Sequence, residues 1–230
     1  MKDNITANLT ELHGRIADAC EEYDRDTNDI TVIAVTKTHS AAVIRTAVAI
    51  GLHNIGESRI QEAEPKILEV GHIARFHLIG HLQTNKVKKA VQLFDVIHSI
   101  DSLKLAREIS QRAKELDRTI ECLIQVNVSG EERKYGIAPK QTIDLVNRVN
   151  DLPNIELTGL MAIGPHTDDE DDIRTAFQHG RKLFNDAQSV VGRQFDQLSM
   201  GMSNDYPLAI AEGATMIRIG TAIFGARQPL

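Results

Sequence analysis

Apolar residues recur along the chain with two different spacings, and a helical spacing occupies the amino-terminal segment. Between about residues 3 and 24 the apolar positions lie three or four residues apart, at Ile5, Leu9, Leu12, Ile16 and Ala19. Residues at this spacing share one face of an α-helix. The sequence therefore predicts an amphipathic amino-terminal helix.

After this helix, short apolar or β-branched runs alternate with segments of helical spacing. Eight runs have the length and composition of strands: 30–37, 54–57, 76–80, 96–100, 122–128, 157–163, 198–202 and 216–220. Continuously apolar strands separated by helices are typical of parallel strands covered on both faces. The pattern predicts one domain over residues 1–230, an α/β protein with a (β/α)8 TIM barrel and an extra amino-terminal helix. A doubly wound open sheet is the alternative, because a strand count does not establish closure.

Composition and charge narrow the class of protein. The chain has 230 residues and a formal net charge of −6, whereas proteins that bind nucleic acid concentrate basic residues on one face. The compact basic cluster at residues 86–89 fits a solvated helix face. We find no apolar run of about 18 residues and no export signal, so we expect a cytoplasmic protein without a membrane partner. Cys20 and Cys122 are too few for a disulfide framework, and we expect them to be buried thiols.

Polar residues at the carboxyl ends of the strands are the candidates for chemistry, because barrel enzymes place their sites there. Lys37 ends the first predicted strand and shares a face with Ile33 and Val35 by strand alternation. Burial favours the neutral amine of a lysine, which attacks an aldehyde or ketone to form an imine. A lysine that simply reaches solvent is the alternative.

Arg218 lies in the last predicted strand, where it shares a face with Met216 and Gly220. A guanidinium that points into a barrel needs a partner. That partner is either a strand-end acid such as Glu57, in a structural salt bridge, or a ligand.

Two glycine-containing turns, at residues 200–205 and 220–222, follow the last two predicted strands, where many barrels bind phosphate. Ser203 is placed to cap the helix predicted over residues 207–212, and free backbone N–H groups at both turns suit a phosphate dianion. A lysine for an aldehyde, an arginine for a ring nitrogen and a phosphate site together define pyridoxal 5′-phosphate as the ligand.

Several stretches also resemble the pyridoxal phosphate homeostasis protein family, whose members are single-domain barrels like the one in alanine racemase, of the fold type III class. The resemblance spans about residues 34 to 227 and rests on the stretches "AVTK", "IGESRIQE", "FHLIGHLQTNK", "HSIDS", "LIQVNVSGEERKYGI", "GLMAIG" and "LSMGMSNDYPLAIAEGATMIRIGTAIFGAR". The final stretch is the most specific of them.

This resemblance implies a role for each matching residue. Lys37 would form the Schiff base with the cofactor, and Arg218 would face the pyridine nitrogen. The phosphate would be held by Ser203, Gly220 and Thr221 and by the Met202 amide. Residues 56–58 would line the pocket, although Ser58 stands where the family usually has asparagine. Lys134 stands where related racemases carry an arginine.

The resemblance also implies a carrier that keeps vitamin B6 in balance, without efficient turnover and with no catalytic residues. Racemases of this type use a second base, a tyrosine, and the sequence offers only Tyr23, Tyr135 and Tyr206. A racemase that uses Tyr135 or Tyr206 is the alternative, and a Schiff-base aldolase is a third hypothesis. PLP-dependent apo-enzymes are the expected recipients, and a monomer is sufficient. His77 and His81 lack further ligands at metal spacing, so we expect no metal site.

Overall fold

The computed structural model describes residues 2–131 and 133–225. Within them, eight parallel strands close into a barrel in which each strand pairs with the next and β8 pairs with β1. The strands are β1 Thr31–Val35, β2 Asn54–Glu57, β3 Arg75–Leu78, β4 Val96–Ile100, β5 Ile120–Val126, β6 Ile155–Ala162, β7 Gln197–Met202 and β8 Met216–Ile219. The predicted (β/α)8 TIM barrel is confirmed, and the open sheet is not formed.

Helices surround the barrel and, apart from the first and the last, connect consecutive strands. They are α1 Lys2–Glu22, α2 Ala41–Ala49, α3 Ile60–Val70, α4 Val87–Leu93, α5 Leu103–Glu115, α6 Thr142–Asn150, α7 Glu170–Val191, α8 Tyr206–Ala211 and α9 Thr221–Phe224. The predicted amino-terminal helix is α1, which packs against α8 and α9. Ser102 caps α5 and Asp169 caps α7 with their side chains, as expected for polar residues at helix starts. α3 runs through Pro65 without a break.

The buried residues form two layers. One large apolar cluster lies between the helices and the outer face of the sheet. Alternate strand positions point into the barrel, where buried apolar side chains outside that cluster, such as Ile33, Leu123 and Met161, meet buried polar ones. The outer layer holds the helices against the sheet, and the mixed interior of apolar and polar side chains leads to the site at the carboxyl ends of the strands.

That all 230 residues form a single domain stays a prediction. The last two residues of the family-like stretch, Ala226 and Arg227, lie outside the described residues. No helix in the described part of the chain combines the length and the apolarity that a membrane crossing requires.

Candidate functional site

A cleft of about 500 Å³ opens at the carboxyl ends of the strands. Its size falls in the range of small-molecule sites. Six of the predicted site residues line it: Lys37, Met202, Ser203, Arg218, Gly220 and Thr221. The structure therefore brings together side chains from both ends of the sequence. Ser58 is half-buried and lies outside the lining, so its proposed contact stays a prediction.

Lys37 sits in the turn that follows β1, because the strand ends two residues earlier, at Val35. The prediction that Lys37 belongs to the strand is therefore wrong, although Val35 lines the same cleft as expected. Thr38 has a φ of 67°, in the left-handed region. A β-branched residue rarely adopts that conformation, so the surrounding contacts must impose it.

A buried cluster of charges supplies those contacts. Lys66 Nζ lies 2.8 Å from Glu57 Oε1, 2.6 Å from Glu62 Oε1 and 2.9 Å from the carbonyl oxygen of Thr36. The Thr36 hydroxyl also donates to Glu57 Oε1, at 2.7 Å, and the Thr38 amide donates to Glu62 Oε1. Both neighbours of Lys37 are thus fixed by this cluster. The sequence pointed to one member of this cluster, the acid Glu57 at the end of β2, but did not predict that Lys66 is its partner.

Glu57 is fully buried, and its Oε2 has no hydrogen-bond partner among the described residues. Burial raises the pKa of its carboxyl, against the opposing effect of the hydrogen bonds from Lys66 and Thr36. Since Glu57 pairs with Lys66, the alternative in which it pairs with Arg218 is wrong.

Arg218 is 4% exposed and points into the barrel from β8, where its Cα pairs with that of Ile33. Nη1 donates to the carbonyl oxygen of Ser199 at 2.8 Å and to Ser199 Oγ at 2.7 Å, and Nη2 donates to the carbonyl oxygen of Ala162 at 2.9 Å. Among the described residues Nε forms no such bond. Burial lowers the pKa of the guanidinium to about 10, against the opposing charge of Asp205, so the group stays charged at neutral pH.

The two turns of the predicted phosphate site lie beside each other, and both line the cleft. Ser203 Oγ accepts a hydrogen bond from the Ala222 amide at 3.4 Å, which joins the turns. The prediction that Ser203 caps the next helix is wrong, because Asp205 occupies the N-cap position of α8 and uses no side-chain bond there. No hydrogen bond from the amides of Ser203 and Thr221 is seen within the described residues.

Asp205 is a lining residue that the sequence reasoning missed. Its Oδ1 accepts from the Met202 amide at 2.5 Å, so this predicted phosphate donor is already engaged. Burial raises the pKa of the Asp205 carboxyl, against the opposing effects of the Met202 amide and the charge of Arg218. His166, Asp168 and Glu170, from the loop after β6 and the start of α7, also line the cleft and were not predicted.

The remaining polar candidates lie elsewhere. Lys134 donates to the carbonyl oxygen of Gly164 at 2.7 Å and does not line the cleft. The Tyr23 hydroxyl accepts from Arg174 at 3.0 Å. Tyr135 is 59% exposed, and its ring stacks on that of His81. Tyr206 begins α8 and is 3% exposed.

His77 is fully buried in the core of the barrel. Within residues 2–131 and 133–225, no group of three or more His, Cys, Asp or Glu side chains is arranged to hold a metal ion.

The fold and the cleft define a class of protein: a closed parallel barrel with a lysine after β1 and a buried arginine in β8 at one opening. The family model described as "Alanine racemase, N-terminal domain" matches residues 8–228. A curated relative from Pseudomonas aeruginosa, named "Pyridoxal phosphate homeostasis protein", is 40% identical over 225 residues, 97% of this chain and 96% of its own length.

Solved structures agree with this match. An unknown protein from Bifidobacterium adolescentis, known from a crystal structure, is 38% identical to this chain in sequence. The match covers 97% of this chain and 95% of that protein's chain, with a TM-score of 0.92. The structure of PipY from Synechococcus elongatus with PLP bound is 35% identical and covers 96% of this chain and 100% of its own, with a TM-score of 0.83. The chain belongs to the alanine racemase N-terminal domain family, in the group of the pyridoxal phosphate homeostasis proteins.

Proposed function

We propose that this chain binds pyridoxal 5′-phosphate in the cleft at the carboxyl ends of the strands and acts in intracellular vitamin B6 homeostasis. The observation that carries the proposal is that Lys37 and Arg218, far apart in the sequence, line one cleft of suitable volume. The relatives' name and the PLP in PipY support the same ligand.

The residues present fit each part of this ligand. The Lys37 amine can add to the aldehyde carbon with loss of water, forming an imine that holds the cofactor covalently. The joined turns at Ser203 and Thr221 offer amide donors to the phosphate. Arg218 has two nitrogens bonded to the protein, so that Nε remains for the ring nitrogen.

Arg218 limits the chemistry that the bound cofactor can supply. A guanidinium with a pKa of about 10 donates a hydrogen bond and does not give up its proton near neutral pH. The pyridine nitrogen beside it therefore stays unprotonated, and an unprotonated ring is a weak electron sink. This arrangement suits a protein that holds the cofactor more than one that turns over substrates.

A racemase also needs a base on the face of the substrate opposite Lys37. Neither Tyr135 nor Tyr206 lines the cleft, and burial raises the pKa of Tyr206, which disfavours its basic form. The geometry therefore supports a carrier without efficient turnover over the racemase.

The proposal includes three further expectations. The recipients are PLP-dependent apo-enzymes, and the protein acts as a monomer. It works in the cytoplasm, where the buried thiols of Cys20 and Cys122 stay reduced.

The visible spectrum of the purified protein tests the ligand. A protonated imine absorbs in the visible, and we expect this band to appear on addition of PLP and to be lost in Lys37→Ala. Lys182→Ala is the matched control, because Lys182 is a surface lysine paired with Asp186. A protein that stays colourless with excess PLP, or a Lys37→Ala variant that keeps the band, would refute the proposal.

Turnover is tested separately. Incubation of the loaded protein with L-alanine or L-serine should give little of the D isomer, whereas rapid racemisation would favour the enzyme. Borohydride trapping with a sugar phosphate but not with PLP would instead indicate an aldolase.

A further inference from the structure

A chain of buried polar side chains crosses the interior of the barrel and ends at Arg218. It begins at Asn54, which opens β2 and lines a second cavity of about 850 Å³ at the amino-terminal ends of the strands. It continues through His77 in β3, His98 in β4 and Ser199 in β7, each of which is fully buried. The chain therefore connects the opposite end of the barrel with the arginine of the cleft.

Each link of this chain has hydrogen-bond length. Arg218 Nη1 lies 2.7 Å from Ser199 Oγ, and Ser199 Oγ lies 3.2 Å from His98 Nδ1. His98 Nε2 lies 2.9 Å from His77 Nδ1, and His77 Nε2 lies 3.1 Å from Asn54 Oδ1. Four consecutive contacts thus join five side chains.

The groups at the two ends determine which side chain donates and which accepts in each of these hydrogen bonds. Arginine only donates, so Ser199 Oγ accepts from Arg218 and has one hydrogen left to give. If His98 donated to Ser199, that hydroxyl hydrogen would be buried without an acceptor among the described residues, which is unfavourable. Ser199 therefore donates to His98, His98 donates to His77 and His77 donates to Asn54 Oδ1. Both imidazoles are neutral and carry their proton on Nε2.

The surroundings keep both imidazoles neutral. Burial, reinforced by the charge of Arg75, lowers the pKa of His77 to about 3. Burial also lowers the pKa of His98, and the positive charges of Arg218 and Arg75 add to this effect. Arg218 is then the only one of these five side chains that carries a positive charge at neutral pH. No second positive charge competes with it for the Ser199 oxygen.

We propose that His98, itself held by His77 and Asn54, is a positioning residue for the arginine that faces the ring of the cofactor. The Ser199 hydroxyl rotates freely unless an acceptor fixes it, and His98 Nδ1 is that acceptor. With the hydroxyl fixed, its lone pair holds Nη1 of Arg218, and Nε is presented to the cleft. This inference rests on the proposed binding of PLP.

Variants at His98 and Ser199 test this role. We expect His98→Leu and Ser199→Ala to weaken PLP binding by about tenfold or more, as for loss of a hydrogen bond to a charged group, and to move the pH midpoint of the visible band. His98→Gln can accept and donate as the imidazole does, so it should restore most of the affinity. Ser99→Ala is the control, since Ser99 is buried in the same strand and its Oγ has no partner among the described residues.

A role of His98 in folding alone would leave the midpoint of the band unchanged. The inference is overturned if His98→Leu and Ser199→Ala keep the affinity and the midpoint of the parent protein while Lys37→Ala loses the band. A colourless parent protein would refute the proposed function instead. The NMR test described next would still examine the hydrogen-bonded series of side chains in that case.

Nitrogen-15 NMR of the unmodified protein without cofactor tests the chain directly, and does not depend on whether the variants fold. We expect His77 and His98 to show a protonated Nε2 and an unprotonated Nδ1, unchanged from pH 5 to pH 9. A proton on Nδ1 of either residue, or titration of either ring in that interval, would contradict the assignment and the positioning role with it.

Discussion

Lys66→Met is the substitution from which we expect the largest loss of stability outside the apolar core. The methionine keeps the length of the side chain but removes the ammonium group, which contacts Glu57, Glu62 and Thr36 at 2.6 to 2.9 Å. Glu57 is fully buried and cannot be rehydrated, and its Oε2 already lacks a partner within the described residues. The variant therefore leaves a buried carboxylate without its cation.

Removal of one partner from a buried ion pair costs about 3 to 5 kcal/mol, because the remaining charge is left uncompensated. We expect the free energy of unfolding of Lys66→Met, measured by urea titration at pH 7.5, to fall by about this amount. Lys89→Met is the control, since Lys89 pairs with Glu64 at a similar distance but is 57% exposed. Exposed pairs contribute little to stability.

The pH dependence separates an electrostatic cause from a packing defect. Burial already raises the pKa of Glu57, and loss of the ammonium raises it further. A carboxyl with a raised folded-state pKa stabilises the fold below that pKa, and this stability is lost as the pH rises through it. The deficit of Lys66→Met should therefore shrink as the pH is lowered from 7.5 to 5. A deficit no larger than that of Lys89→Met, or one that does not change with pH, would refute this reasoning.

Two further substitutions test other parts of the structure. Gly201 has a φ of +91°, and a Cβ there would lie 2.6 Å from that of Ala209, so Gly201→Ala should cost about 1 to 3 kcal/mol by thermal unfolding. Gly14→Ala, with open space around the Cβ, should be neutral or stabilising, and equal effects of the two would contradict the geometry. His77 has a pKa of about 3 in the folded protein and about 6.5 in the unfolded chain. Below pH 6.5 the unfolded chain therefore binds a proton that the folded protein does not, and the free energy of unfolding falls by up to about 1.4 kcal/mol per pH unit. His77→Asn should make the decline between pH 6.5 and pH 5 shallower than in the parent protein, and an unchanged slope would show that His77 is not neutral when folded.

The sequence was sufficient to predict the barrel, because segments with strand periodicity and segments with helix periodicity alternate clearly along it. It also predicted that Lys37 and Arg218 come together at the mouth of the barrel, and both line the cleft. Ser203, which it wrongly assigned as a helix cap, instead accepts a hydrogen bond from Ala222, in a turn from another part of the chain. Such a contact depends on how distant segments pack together.

The pairing of Glu57 with Lys66 and the link from His77 to His98 show the same limit. Lys66 lies in α3 and reaches back under the turn after β1, so its partner depends on how the helix packs against the barrel. His77 and His98 meet because β3 and β4 are neighbours in the closed sheet, and the reach to Ser199 crosses the barrel interior. Periodicity predicts that such side chains point inward, but it does not predict which of them touch.

The two ends of the ligand site are supported by two separate buried networks. The cluster of Glu57, Glu62 and Lys66 fixes the turn that carries Lys37, and the chain through His98 fixes Arg218. No residue is shared between the hydrogen bonds that we describe for the two networks. Damage to the first should therefore change the stability of the fold and the imine of Lys37, whereas damage to the second should change the environment of the ring nitrogen. The combined effect of Lys66→Met and His98→Leu on the affinity for PLP should be close to additive, because independent sites add their free energies and coupled ones do not.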